Sequence, residues 1–268
     1  MSIKLENVSY TYGLNTPFEK EALFEINLEI NKGDIWLIVG HTGSGKTTLI
    51  SLINGLLLPQ KGDVKVEGMS TKNRKVNIKD VRKKIGIVFQ YAESQFFLPT
   101  VKEEILFGPN NFGIELTDEQ IKYYLDLVNL PIDYLDKNPF ELSGGEMRKV
   151  AIISILSYNP DYIIFDEPTV GLDFNTKQSI FSLIRNLQDL GKTIIVSTHW
   201  INEFSNFKPK VLLLKEGREL FKGEFDDFIQ MDEQLLFDAG IILDEKLQLY
   251  KCALKKGQKE LAEKISNL

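Results

Sequence analysis

An α/β fold with a mainly parallel central sheet is predicted by three features of the sequence. Apolar runs of buried-strand length recur at Ile35–Val39, Ile85–Phe89, Tyr162–Phe165 and Thr193–Thr198. Helical patterns lie between them, and alternating strands and helices of these lengths build parallel sheets. A glycine-rich stretch, Gly40 to Thr47, joins the first run to a helix. At 268 residues the chain can form one domain with an appendage, and 43% hydrophobic with 26% charged content is that of a soluble globular protein. No apolar run approaches the ~20 residues that span a bilayer. Met1 to Glu6 lacks a basic region followed by an apolar one, so no signal peptide is expected. Cys252 is the single cysteine, which excludes an internal disulfide and suits a reducing compartment. A net charge of −6 argues against non-specific binding to nucleic acid.

The elements follow in order. Ile3–Val8 and Leu28–Ile30 alternate as half-buried strands, with Tyr10–Pro17 reading as a loop. Asn31–Asp34 is a turn, Ile35–Val39 a strand, and the helix from Gly45 is expected to run to about Leu57, before Pro59. Lys61–Asp63 reads as a turn and Val64–Gly68 as an edge strand. A basic stretch, Thr71–Lys84, reads as solvated loop and short helix. After the strand at Ile85–Phe89 come helices at Val101–Phe107, Thr117–Leu130 (Thr117 as N-cap) and Gly144–Leu156, broken at Pro109–Gly113 and Asn138-Pro139. The block 91–157 reads as a helical insertion between core strands. A strand at Tyr162–Phe165, a helix at Thr176–Leu190 and a strand at Thr193–Thr198 follow, and a hairpin turning at Gly217 ends the sheet. From about Gly223 the tail is helical: Phe225–Met231, Glu233–Phe237, Asp244–Lys255 and Lys259–Leu268. Its apolar residues Leu235, Leu236, Phe237, Ile241 and Ile242 need a partner, either the chain's own core or a dimer surface.

Gly40-His41-Thr42-Gly43-Ser44-Gly45-Lys46-Thr47 fits G-x-x-x-x-G-K-[ST], the P-loop, between strand and helix as the motif requires. Its glycines let successive N–H groups line one concavity, and the N-terminus of the helix that continues through Thr48 favours the same phosphate. Lys46 would reach the β- and γ-phosphates, and the Thr47 hydroxyl would ligate Mg²⁺. Ile163-Ile164-Phe165-Asp166-Glu167 delivers two carboxylates to a strand end. Asp166 is placed to hold Mg²⁺ and Glu167 to act as general base toward water. Ser143-Gly144-Gly145 opens a further helix through Glu146. It reads either as a second phosphate-binding helix end or as a cap with flexible glycines.

Together these residues make the chain, over roughly residues 3 to 222, resemble an ATP-binding cassette (ABC) ATPase. Gly40–Thr47 corresponds to Walker A, Ile163–Glu167 to Walker B, and Leu142–Glu146 to the signature motif, with Glu146 where glutamine is commoner. Gln90 matches the Q-loop glutamine, Gly171-Leu172-Asp173 the D-loop, His199 the switch histidine, and Tyr12 the aromatic that stacks on adenine, with Tyr10 a weaker candidate. The resemblance implies a P-loop NTPase fold: a RecA-like core, an antiparallel β subdomain, a helical signature subdomain (about 91–157) and a C-terminal helical extension (223–268). It implies ATP and Mg²⁺, with Glu167, His199 and Gln90 in hydrolysis and Thr47, Gln90 and Asp166 around the metal. It also implies a head-to-tail pair of cassettes in which Ser143, Gly144 and Gly145 close on the partner's ATP.

A narrower resemblance is to the ATPase subunits of energy-coupling factor (ECF) transporters. It rests on Phe89–Phe97, Glu104–Gly113, Met147–Ile152, the opening Gly40-His41-Thr42-Gly43-Ser44-Gly45 and the short helical tail. It implies uptake of vitamins or transition-metal ions, a second ABC ATPase, a transmembrane coupling protein, a substrate-binding membrane protein, and a place on the cytoplasmic face of the membrane. Phe96, Phe97 and Leu98 would line the groove for the coupling helices, with Glu103 and Glu104 facing basic residues; the same apolar residues also read as subdomain core. The ATPase of a conventional cobalt or nickel importer is a second reading. A soluble clamp on nucleic acid or ribosomes is a third, which the acidic charge and the absence of a long inserted arm disfavour.

Overall fold

Alternation of apolar residues builds the first sheet. β1 (Ser2–Tyr12) pairs antiparallel with β2 (Lys20–Asn31), burying Ile3, Leu5 and Val8 beside their partners Ile30, Leu28 and Ile26. Tyr10 pairs with Leu23 and Tyr12 with Lys20, so β1 runs through the segment expected as loop, and the hairpin tip starts at Gly13. The computed structural model describes residues 1–266. These form two compact units, one of Met1–Val76 with the chain from Ile195 onward, the other of Asn77–Ile194.

In the first unit, β3 (Ile35–Val39) is wholly buried and leads through the glycine-rich loop into α1 (Lys46–Ile53). The helix stops short of Leu57 because Gly55 turns left-handed (φ 70°) and donates its N–H to Leu52 O, closing the last turn. β4 (Lys61–Val66) and β5 (Met69–Ser70) complete a sheet of order β2-β1-β4-β5, so β4 is flanked on both sides rather than at an edge. Lys61–Asp63 belongs to β4 and is not a turn. Gly62 (φ +72°) lies against the carbonyls of Glu6 and Asn7 where the register with β1 shifts, a bulge that no side chain could occupy.

In the second unit, Asn77 caps α2 (Ile78–Lys84), and β6 (Ile85–Val88) runs parallel to a later strand, Ile85 opposite Tyr162. α3 (Val101–Asn111) continues through Pro109, where a helix break was expected. Proline removes the N–H that would bond the carbonyl four residues back. That carbonyl, Ile105 O, accepts instead from the buried Ser157 hydroxyl at 2.8 Å, so the helix survives its proline. α4 (Asp118–Leu127) starts at Thr117 with a full capping box to Gln120. α5 (Gly144–Leu156), β7 (Tyr162–Asp166), α6 (Phe174–Asp189) and β8 (Thr193–Thr198) follow close to expectation, α6 starting two residues early because Asp173 is its N-cap.

The chain re-enters the first unit within β8. A 3-10 segment, Ile201–Phe207, leads to β9 (Lys210–Lys215), which pairs parallel with β3, and then to the antiparallel β10 (Arg218–Glu224). The tail forms α7 (Phe225–Ile229), α8 (Glu233–Asp238), α9 (Glu245–Lys255) and α10 (Lys259–Ser266); the expected end of the last helix, Leu268, lies outside the described residues. Leu236 and Ile241 are buried in the unit's own core, whereas Leu235, Phe237 and Ile242 are exposed. Among the described residues no helix is long and apolar enough to cross a membrane.

Candidate functional site

The P-loop is built by close backbone approach. Gly40 (φ +145°) passes so near Leu214 O and the Ser44 side chain that a Cβ would collide with both. Gly45 (φ +107°) is the N-cap of α1, and a Cβ there would stand 2.7 Å from Leu23 Cδ2 and 2.8 Å from Ala22 O. Gly43 has open space around it, but its φ of +84° favours glycine. The turn at Gly217 props the loop from behind by donating its N–H to Ser44 O at 3.0 Å. Among the described residues no side chain caps α1, so its first N–H groups lack the usual capping acceptor. Lys46 is largely buried, and its Nζ donates to Gly40 O at 2.7 Å and His41 O at 3.2 Å, which arches the loop. Ser44 Oγ is buried and has no hydrogen-bond partner among the described residues. A buried hydroxyl of that kind costs free energy unless a ligand completes it.

The other predicted residues of this unit stand in three environments. Thr42 and Thr47 are exposed at the loop, Thr48 is buried, and the His41 ring donates from Nδ1 to Thr42 O at 2.6 Å. Tyr12 is half-exposed. Its hydroxyl is 3.1 Å from Thr48 Oγ1 and its ring packs edge-on against Tyr10, 4.9 Å between centroids. β1 therefore delivers an aromatic face beside the start of α1. His199 is exposed at the end of β8, with its ring 4.9 Å from that of Trp200.

The second unit gathers a different set. An open cleft of about 310 Å³ is lined by Gln90 from the end of β6, Gly144 and Gly145 from the start of α5, Arg148, and Gly171 to Asp173 ahead of α6. Residues expected to act as Q-loop, signature and D-loop thus share one wall. Asp173 accepts from Thr176 N at 3.0 Å and Thr176 Oγ1 at 2.8 Å, and these bonds lower its pKa. Ser143 caps α5 and Glu146 answers it. Ser143 Oγ donates to Glu146 Oε2 at 2.7 Å, Ser143 N donates to the same oxygen at 2.9 Å, and Tyr134 donates to Oε1 at 2.7 Å. The Ser143 hydroxyl first, then Tyr134, hold the Glu146 pKa down at about 2. Ser143 is therefore the N-cap of α5, with its one hydroxyl proton directed at Glu146.

Asp166 is buried at the end of β7, and Glu167 follows it at the edge of burial with φ +47°. A non-glycine residue in that region costs about 1–3 kcal/mol and occurs where surrounding structure enforces it, as at functional sites. The groove side chains divide: Phe96 is buried, whereas Phe97 is exposed and packs edge-on against Phe107. Glu104 corrects one expectation. It does not face outward to basic residues but is buried, accepting from the N–H groups of Phe97 and Leu98, both at 2.6 Å, which fixes the turn after Gln90.

Sequence reasoning missed Arg148. Its buried guanidinium donates from one nitrogen to Phe89 O (2.8 Å) and Gln90 O (2.5 Å), and from the other to Glu167 O (3.5 Å). One side chain thus ties α5 to the backbone of both Gln90 and Glu167. The available signal was its spacing: Arg148 lies three and four residues before Ala151 and Ile152, on the buried face of α5. Arg148→Lys keeps the charge but loses the fork. The expected result is a fall in ATP turnover of about tenfold or more, the effect of roughly 1.4 kcal/mol of lost positioning. ATP affinity should stay near that of the parent, because the P-loop is untouched; steady-state phosphate release and equilibrium ATP binding read the two separately.

The family model described as ABC transporter matches residues 23–170. The chain is 42% identical over 271 residues to the energy-coupling factor transporter ATP-binding protein EcfA2 of Streptococcus sanguinis (strain SK36), covering 100% of this chain and 94% of that protein. It is 41% identical over 276 residues to the protein of the same name from Staphylococcus aureus (strain bovine RF122 / ET3-1), covering 98% and 93%. Among solved structures, cbiO1 from Clostridium perfringens, part of the ABC transporter complex cbiONQ, is similar with a TM-score of 0.74 and 31% identity over 92% of this chain and 97% of that chain. The ATP-binding cassette MJ0796, in a dimeric post-hydrolysis state bound to ADP and Pi, has a TM-score of 0.73 and 31% identity over 83% and 98%. With its fold shared by these cassettes and its sequence matched over most of its length, this chain belongs to the ABC transporter family, as an ATP-binding cassette with the α/β P-loop NTPase fold.

Proposed function

We propose that this chain is the ATP-binding and ATP-hydrolysing subunit of an ECF-type importer, driving uptake of vitamins or transition-metal ions through membrane partners. The observation that carries the reading is similarity over the full chain to proteins named as ECF transporter ATP-binding subunits. The residues support it chemically. The N–H groups of the loop from Gly40 to Thr48, other than those of His41 and Ser44, which bond Ala239 O and His41 O, would hold the phosphates with the Lys46 ammonium, the orphaned Ser44 hydroxyl would donate to one of them, and Tyr12 would stack on adenine.

The donors proposed for Mg²⁺ are a hydroxyl (Thr47), a carboxylate (Asp166) and an amide (Gln90), all hard oxygens. Among the described residues no group of three or more His, Cys, Asp or Glu could hold a metal ion. When bound, Mg²⁺ would neutralise charge on the β- and γ-phosphates. Glu167 would take the proton of the attacking water, and His199 would hydrogen-bond the γ-phosphate. Ser143, Gly144 and Gly145 would close on ATP held by a partner cassette, so turnover requires two cassettes, identical or different.

Within this reading, residues 1–222 form the cassette, 91–157 its helical subdomain, and 223–268 an extension whose exposed Leu235, Phe237 and Ile242 contribute to pairing. Phe97 and Tyr91, both exposed, belong to the surface for the transmembrane coupling protein; a substrate-binding membrane protein completes the complex. The chain sits peripherally at the cytoplasmic face of the membrane. The test is fractionation of cells carrying a tagged copy. The chain should sediment with membranes and be released by an alkaline carbonate wash; recovery wholly in the unsedimented fraction, at native expression, contradicts the assignment.

A further inference from the structure

We propose that the loop Ala239–Gly240 of the C-terminal extension is a positioning element for the P-loop, setting nucleotide affinity from outside the binding residues. The inference rests on the ATP-binding reading above. The geometry begins at the end of α8. Gly240 donates its N–H to Phe237 O and Ile241 donates to Leu236 O, both at 2.9 Å, with Gly240 left-handed at φ +77°. This is a Schellman ending, with Leu236 and Ile241 buried as its apolar pair. The turn faces one carbonyl away from the helix. Ala239 O accepts the N–H of His41, the first variable residue of the P-loop, at 3.2 Å.

The fit at this contact is tight. A Cβ on Gly240 would stand 2.9 Å from His41 Cβ and 3.4 Å from His41 Cα. Glycine at position 240 is therefore needed twice, for its backbone angle and for the approach of the phosphate loop. The following residues anchor to the 3-10 segment just after His199. Asn202 donates to Ile242 O and accepts from Asp244 N, each at 3.4 Å, and Lys246 Nζ donates to Asn206 Oδ1 at 2.9 Å. The extension thus grips the chain beside two groups proposed to face phosphate. Any displacement of the extension would release the His41 N–H and let the loop relax.

The test is equilibrium binding of ATP to the full-length chain, with melting temperature in parallel. Gly240→Ala should weaken ATP binding about tenfold, the effect of misaiming phosphate-cradling N–H groups. Gly257→Ala is the matched control: its φ is +70°, it lies in the same extension, and a Cβ there meets nothing within 4 Å. It should carry the same backbone strain with unchanged ATP affinity. Gly240→Asn tolerates the left-handed angle but keeps the added Cβ, and should stay weak. In a His41→Gly background the further loss from Gly240→Ala should shrink. If Gly240→Ala does not fold, Asn202→Ala loosens the same loop without a clash and should weaken ATP binding by about threefold, a loss on the scale of one hydrogen bond. Equal ATP affinity in Gly240→Ala and Gly257→Ala overturns the inference while leaving the ATP-binding reading intact. Loss of that reading would appear differently, as a parent chain that binds no ATP or one whose Lys46→Ala variant binds it unchanged.

Discussion

Replacing Glu167 by glutamine should lower ATP turnover by at least about a hundredfold, the lower range for removing a general base. The substitution keeps the side chain's shape and hydrogen-bonding reach and removes only its ability to accept a proton. The backbone that aims it is held independently, by Arg148 on Glu167 O and by Val170 N donating to the same carbonyl at 3.4 Å. The left-handed φ of 47° at this residue therefore persists in the variant. ATP binding should survive, because the P-loop lies elsewhere in the chain. A cassette that binds ATP without consuming it accumulates in the closed pair, so the apparent mass should double on adding ATP. Phosphate release and light scattering read the two effects; near-normal turnover would remove Glu167 from the role of base.

Lys46→Ala should raise the dissociation constant for ATP about a hundredfold or more. Charge-assisted hydrogen bonds contribute about 1.5–3 kcal/mol each, and one ammonium serves more than one phosphate oxygen. A second loss adds to the first. Lys46 Nζ also spans the loop to Gly40 O and His41 O, so alanine removes the arch that holds the concavity open. Isothermal titration with ATP measures the sum, and circular dichroism confirms that the fold is kept. Unchanged affinity would contradict the phosphate role of the loop.

Both residues were legible in the sequence because their motifs bind local backbone geometry to chemistry. A strand, a G-x-x-x-x-G-K-T loop and a helix leave few other arrangements, and the Asp166-Glu167 pair ends an apolar strand. Where local signals agreed, the bounds of the elements were also legible: α5 opens at a serine cap and runs into the apolar Val150–Ile153, and β8 carries the apolar Ile194–Val196 between turns. Disagreements arose where a distant partner decides. Pro109 stops a helix in isolation, but Ser157 supplies the hydrogen bond that proline leaves unmade. Tyr10 and Tyr12 sit beside turn residues, yet β2 draws them into a strand. Gly62 signals a turn and forms a bulge, because β1 lies alongside. Glu104 looks like surface charge until the loop after Gln90 folds back onto it. Arg148 and Gly240 were missed for the same reason, since their roles lie in contacts with Gln90, Glu167 and His41 that no local pattern encodes.

A cassette that drives a membrane importer must be held by membrane-embedded partners. Mass spectrometry of a tagged copy, gently extracted from its native membrane in mild detergent, identifies those partners. A second cassette ATPase and a multispan membrane protein should be recovered in stoichiometric amounts, with further small membrane proteins marking the solutes carried. Recovery of the chain alone, or with ribosomes, would contradict the transport assignment while leaving its ATP chemistry standing.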